Sequence, residues 1–250
     1  MATAPAIPPQ EAVPLSEPAR LMNTFVAPRK MFTDLNRSAA WWGPFVLTVI
    51  VSLLFVYTGD KKVGFRKILE NQLQSQPKQA QQLENLPPDQ REQQMQVRTK
   101  VSGIISYIFP VFTLIVWLIM AAILFGTVKV AGGAEVKFKT VLALVIYGGL
   151  PGLIKAILAI LSLLAGVSTD SFTFQNPLAT NPGYFIDPAG SAVLKAFLSS
   201  FDVFTFWTLV LVSIGLTCIS KIKSGTAYAI VFGWFAILVL VGTGAAAIFS

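Results

Sequence analysis

Apolar and polar residues are segregated along this chain into long blocks. Nearly uninterrupted apolar runs cover about 39–57, 104–126, 140–165, 201–220 and 226–249. As helices, each reaches or approaches the roughly 20 residues needed to cross a ~30 Å hydrocarbon core. The pattern predicts an all-α polytopic membrane helix bundle with five transmembrane helices. Polar segments at 58–103 and 166–200 join the first span to the second and the third to the fourth. Residues 1–18 are different: Pro5, Pro8, Pro9, Pro14 and Pro18 stand among small residues, with too little apolar surface to fold, and predict a disordered end. This segment has no basic stretch leading into a continuous apolar run, so it does not read as a secretory signal. The membrane domain is read as 19–250.

The third run carries its own interruption. Gly148, Gly149, Pro151 and Gly152 sit at its centre, and Lys155 follows. Pro151 removes a helix donor and biases Leu150 away from helical angles, so this span is expected to be kinked or broken at Pro151. At ~1.5 Å per residue it extends about 39 Å, enough for one tilted or broken crossing and too little for two. The carbonyls freed near position 147 need another partner in lipid, either a neighbouring helix or a water-filled cavity.

Shorter amphipathic patterns flank the spans. In Glu17–Asn36, Leu21, Met22, Phe25 and Val26 share a helical face, Met31, Phe32 and Leu35 continue it after Pro28, and Arg20, Arg29, Lys30 and Arg37 supply positive charge. This reads as two short helices joined at Ala27-Pro28 and lying on the membrane surface, with docking on the bundle as the alternative. Ser38 is placed to cap the first span, Trp41 and Trp42 sit where an interfacial aromatic belt belongs, and Pro44 falls in the tolerant first turns. After that span, Val63, Ile68, Leu69 and Leu73 mark another amphipathic stretch; glutamine-rich solvated sequence follows. Pro88 can open a helix that runs into the second span, which Pro110 is placed to kink. Asn176-Pro177 and Asn181-Pro182 mark turns; Asp187-Pro188 resembles a cap and first-turn proline ahead of an interfacial helix bearing Val193, Leu194, Phe197 and Leu198.

Composition sharpens the class. Charged residues make up 12% of the chain, about half the usual share of a soluble domain, and most lie outside the apolar runs. The net charge of +7 is spread among glutamines and acids without interleaved aromatics, which points to loops near anionic headgroups and to no nucleic-acid partner. There is no histidine, which excludes the usual triads and zinc sites, and the one cysteine, Cys218, lies within an apolar run. No Gly-x-Ser-x-Gly or phosphate-loop pattern occurs, and Asp170, Asp187 and Asp202 are scattered near loops. No enzyme, cofactor or metal site is expected.

Candidate functional positions therefore lie inside the membrane: Tyr147, Gly148, Pro151, Lys155 and Asp202. Lys155 is about 11 residues before Gly166, roughly 16 Å at helical rise, too deep for easy snorkelling from a straight helix. Asp202, at the mouth of the fourth span, is its nearest anionic partner by topology. The alternatives are a tilted snorkelling lysine, or one bound to carbonyls freed at Pro151; Gly148 and Gly152 equally suit plain helix packing. Lys129, Lys137, Lys139, Lys221 and Lys223 in the second and fourth loops, against Lys195 in the third, place those loops and the N-terminus in the cytoplasm. The long, basic first loop opposes that orientation.

The order of these segments resembles bacterial Yip1-domain membrane proteins. LMNTFVAPRKMFTDL followed by WWGPF is similar to their opening helix, Ala/Ser-Pro step and first span; VLALVIYGGLPGLI, FDVFTFWTLVLVSIGLTCISK and AYAIVFGWFAILV are similar to their later spans. The resemblance covers about 18–249. It implies a five-span protein of the cell (plasma or inner) membrane and no settled biochemical activity. The chain lacks the Asp-Leu-Tyr-Gly-Pro motif of eukaryotic Yip1 proteins, with which Rab GTPase binding and vesicle traffic would be associated. The expected role is non-enzymatic: organising or binding lipid, other membrane proteins or a second copy. The rival is a small-solute or ion transporter using the broken third span, although no internal inverted repeat is visible.

Overall fold

The structure, a computed structural model, describes residues 14–132, 135–167, 170–187 and 190–249. Helices make up its regular secondary structure, with no strand among these residues: α1 (Glu17–Val26), α2 (Pro28–Asp34), α3 (Trp42–Lys62), α4 (Phe65–Gln74), α5 (Pro77–Glu84), α6 (Pro88–Val130), α7 (Phe138–Gly148), α8 (Pro151–Leu164), a 3₁₀ turn (Pro182–Phe185), α9 (Ala192–Ser199), α10 (Val203–Ile219) and α11 (Ser224–Phe249). Prolines open α2, α5, α6 and α8, where their fixed φ suits the first turn and the missing N–H costs no bond. Four apolar stretches are long enough to cross a membrane: α3, α6, α7 with α8 as one unit Phe138–Leu164, and α11; α9 and α10, bent by 44° at the residues between them, make a fifth. The protein is a polytopic helical bundle.

Residues Thr140–Gly148 of α7 are buried on every side. Helices α6 and α10 flank α7 and the arm α1–α2 packs against α7 and α10, while α3 runs chiefly along α8. At the outer surface, Ile104, Val111 and Ile119 of α6 and Leu240 and Val241 of α11 are exposed. Apolar exposure on that scale belongs against lipid.

Several local expectations are corrected. Helix α1 starts at Glu17, with the Ser16 side chain accepting from Ala19 N, so order begins inside the stretch expected to be disordered; residues 1–13 of that stretch lie outside the described residues. Ser38 does not cap α3: Trp41 precedes the helix, and no side chain caps it. Helix α6 is continuous from Pro88 to Val130 through Pro110. Leu150 keeps near-helical angles, φ −58° and ψ −26°. The bias imposed by Pro151 is met instead by tightening: Leu150 N donates to Tyr147 O (3.1 Å), and Gly152 N and Leu153 N donate to Gly149 O and Leu150 O. The carbonyl at 147 thus finds its partner within its own chain, and neither a neighbouring helix nor water is needed there. Ser191, not Asp187, caps α9 through Leu194 N, because the helix starts only at Ala192; Pro188 is outside the described residues.

The segment 58–103 is folded as well. Leu73, Leu83 and Met95 bury one another between α4, α5 and the start of α6. Ile68 joins Leu163 of α8 and Phe172 of the following loop, backed by Phe55 and Phe174. An Arg66 guanidinium donates to both Glu92 oxygens at 2.7 and 2.9 Å and to Glu70 at 3.2 Å. The Arg66 bonds hold the Glu92 carboxyl down at about 2, with Gln96 assisting.

Candidate functional site

Lys155 lies one turn into α8, and Asp202 is the residue at which the chain turns from α9 into α10. Antiparallel packing of α8 and α10 brings them together. Lys155 Nζ donates to Asp202 Oδ2 at 2.8 Å, with the two side chains 20% and 5% exposed. The carboxylate has further donors. Its Oδ1 caps α10, accepting from Phe204 N at 2.9 Å and Thr205 N at 3.4 Å. Its Oδ2 also accepts from Thr180 Oγ1, and Asn181 Nδ2 approaches at 3.5 Å. A buried carboxylate is tolerable only when so supplied.

The loop that provides Thr180 and Asn181 is itself fixed. Asn181 Nδ2 donates to Asn176 Oδ1 at 2.7 Å, Asn181 Oδ1 accepts from Tyr184 N at 3.0 Å, and Val203 N donates to Thr180 O at 3.2 Å. The two Asn-Pro turns read from the sequence are thus a lid of polar side chains folded onto the ion pair. That Thr180 and Asn181, the latter braced by Asn176, converge on Asp202 was not legible in the sequence: turn signals locate a bend without saying what it faces.

On its other side Lys155 borders a groove of about 810 Å³ between α3, α4, α6 and α8. Its walls are mostly apolar, punctuated by Thr48, Ser52, Ser102, Ser106 and Thr113, with Arg98 and Gln72 toward the α4 side. The size falls within the range of small-molecule sites, roughly 300–1,000 Å³. Gly152 opens onto it: no heavy atom lies within 4 Å of the place a Cβ would occupy.

The other three candidate residues do not join this constellation. Gly148 packs against α10, where a Cβ would meet Val212 Cγ2 at 2.6 Å, so it serves close helix approach. Pro151 is buried and opens α8. Tyr147 faces the arm, and its hydroxyl donates to Glu17 Oε2 at 2.7 Å.

There a second polar cluster lies, which the sequence reading missed. Arg20, 2% exposed, donates through Nε and Nη2 to Asp34 Oδ2 at 2.8 and 2.7 Å, and through Nη1 to Glu17 Oε1 at 3.3 Å. Arg37 donates to Asp34 Oδ1 at 2.9 Å. Burial alone would raise the Asp34 carboxyl; the bonds from Arg37 and Arg20 outweigh it and hold it below the usual range. Met31 and Phe32 of α2 and Leu35 just after it are buried in the main core, and Asn36 Nδ2 reaches Cys218 O at 3.0 Å. The arm is docked on the bundle, so Arg20 does not face headgroups as its place in a basic amphipathic stretch suggested. The spacing of Glu17, Arg20 and Thr24 on one helical face was the available signal.

No curated protein and no solved structure matches this chain. The sequence profile of the Yip1 domain does, over residues 22–246, from α1 through nearly all of α11. With four apolar stretches, or five counting the bent pair, long enough to span a bilayer, the chain is a multi-pass membrane protein belonging to the Yip1 domain family.

Proposed function

We propose that the protein is a non-enzymatic member of the bacterial Yip1 type, seated in the plasma or inner membrane, that binds membrane-protein partners or lipid. In this reading the N-terminal arm is cytoplasmic and the C-terminus extracytoplasmic. One observation carries it: an arm docked on the bundle through Met31, Phe32 and Leu35 and the Tyr147–Glu17 bond presents apolar side chains outward, Met22 at 62% and Val26 at 73% exposure. Those two residues are spent on neither the core nor the ion cluster, so they are free to meet a neighbour. The test is photo-crosslinking in native membranes with the full chain. Met22→Ser with Val26→Ser is expected to abolish a specific crosslinked partner or the protein's localisation while leaving its melting unchanged. Retention of both overturns the reading.

A transporter remains the second reading, favoured by the meeting of Lys155 and Asp202 where two helices are interrupted. Proteoliposomes carrying a pH-sensitive dye and an imposed potential test it. Wild-type proton flux abolished by Lys155→Met supports transport; a wild type that moves neither protons nor any solute offered overturns it.

A further inference from the structure

We propose that the groove between α3, α4, α6 and α8 is a selective site for an anionic phospholipid, its phosphate at Arg98 and an acyl chain running toward Gly152 and Trp117. This rests on the binding role proposed above and names the ligand class. Arg98 lies on α6 six residues before the apolar run that begins at Ile104. That is headgroup depth. It is half-buried, and among the described residues it makes no ion pair or hydrogen bond. Half-buried guanidinium groups with no anion are costly, and the groove lining offers no Asp or Glu to supply one. An exogenous phosphate satisfies that demand with bidentate geometry.

The rest of the groove specifies the chain. From Arg98 to Trp117 continuous helix runs roughly 28 Å, longer than one leaflet's ~15 Å of hydrocarbon. Along that length Val101, Ile105 and Phe109 provide apolar wall, and Gly152 leaves the opposite wall open. The other cation in the groove, Lys155, is already held by Asp202, so it does not compete for the headgroup. A free anion has no use for the apolar length; a neutral lipid has no use for Arg98 beyond its zwitterionic phosphate. Together the two features select an anionic lipid.

The full-length protein in phosphatidylcholine nanodiscs, doped with dibrominated phosphatidylglycerol or dibrominated phosphatidylcholine, tests this through tryptophan quenching. The Trp117 contribution is the difference between wild type and Trp117→Phe. Brominated phosphatidylglycerol is expected to quench it several-fold more efficiently at equal mole fraction. Arg98→Gln removes that preference. Gly152→Leu, whose Cβ starts into open space at the groove, lowers quenching by both lipids. Equal quenching by the two lipids, or a preference that survives Arg98→Gln, overturns the proposal. Loss of preference on adding millimolar inorganic phosphate alone identifies a free-anion site and overturns the lipid assignment. Failure here with partner capture still abolished by Met22→Ser and Val26→Ser refutes only the lipid site; the converse refutes only the arm's role.

Discussion

Removing either end of the Lys155–Asp202 pair should destabilise the protein, and unequally. Asp202→Ala strips the cap from α10, about 1 kcal/mol. It also leaves the Lys155 ammonium without its carboxylate in a largely buried place, about 3–5 kcal/mol when a buried pair is broken from one side. The expected cost is about 4–6 kcal/mol. Lys155→Met is milder. Asp202 keeps the α10 backbone donors at 2.9 and 3.4 Å and the Thr180 hydroxyl, so it loses one charge-assisted bond of about 1.5–3 kcal/mol. The double variant Lys155→Met with Asp202→Ala has neither orphan charge. It should cost less than the two single changes added together, by a coupling of at least about 1 kcal/mol. Reversible unfolding of the purified protein in mixed micelles of rising SDS content measures all three. Additivity within about 0.5 kcal/mol would mean that the two charges do not hold each other, and the account of the α8–α10 junction would fail. A Lys155→Met cost exceeding that of Asp202→Ala would also refute it, since only the aspartate has a second duty.

Gly148→Ala forces a methyl to within 2.6 Å of Val212 and should lower stability by about 1–3 kcal/mol, whereas Gly152→Ala meets open space and should be neutral or stabilising by up to about 1 kcal/mol; parallel melts of the two separate close packing from helix propensity. Arg20→Met leaves Asp34 with Arg37 alone and is expected to loosen α1 from α2, read as new protease cleavage at the junction between them while the spans stay intact. Acidification should loosen α4 from α6: Glu92, held at about 2 by Arg66, has an unfolded value near 4.3, so its contribution is complete above about pH 4.5 and fades as pH falls toward 2. Hydrogen exchange of α4 across that window checks the sign, and exchange faster at neutral than at acid pH, after correction for the intrinsic rate, contradicts it. In a Cys218→Ala background, impermeant thiol reagents on intact cells are expected to label a cysteine at Lys62 and not one at Lys221, as the lysine asymmetry of the short loops requires.

That the chain is a bundle of membrane-length helices was legible because an apolar solvent leaves few alternatives to a helix; Gly-Gly-Leu-Pro-Gly marked where α7 gives way to α8, and the chain tightens there with Leu150 still near-helical. Asp202 could be chosen as partner to Lys155 by elimination, since few acids follow Glu135 and only one sits at a span mouth. What periodicity could not give was the course of the polar chain. The loop side chains on Asp202 and the fold of α4 and α5 onto α6 depend on three-dimensional contacts between residues far apart in sequence, as when Asn71 Nδ2 donates to Phe172 O at 3.0 Å.

The arm shows the deeper reason that amphipathic patterns mislead near a bilayer. The apolar residues of helix α1 are split between its faces: Leu21 and Phe25 pack on the core beside Arg20 and Thr24, at 2% and 0% exposure, while Met22 and Val26 are outward. In water such an arrangement would expose apolar surface and bury a charge, losing on both counts. Against lipid the signs change. Outward methionine and valine cost nothing, and a charge is best placed inward, where Glu17 and Asp34 supply its bonds. A hydrophobic stripe therefore says that a helix has two faces, not which solvent each one meets. In α1 the outward face carries Met22 and Val26, and Arg29 and Lys30 are exposed at the start of α2.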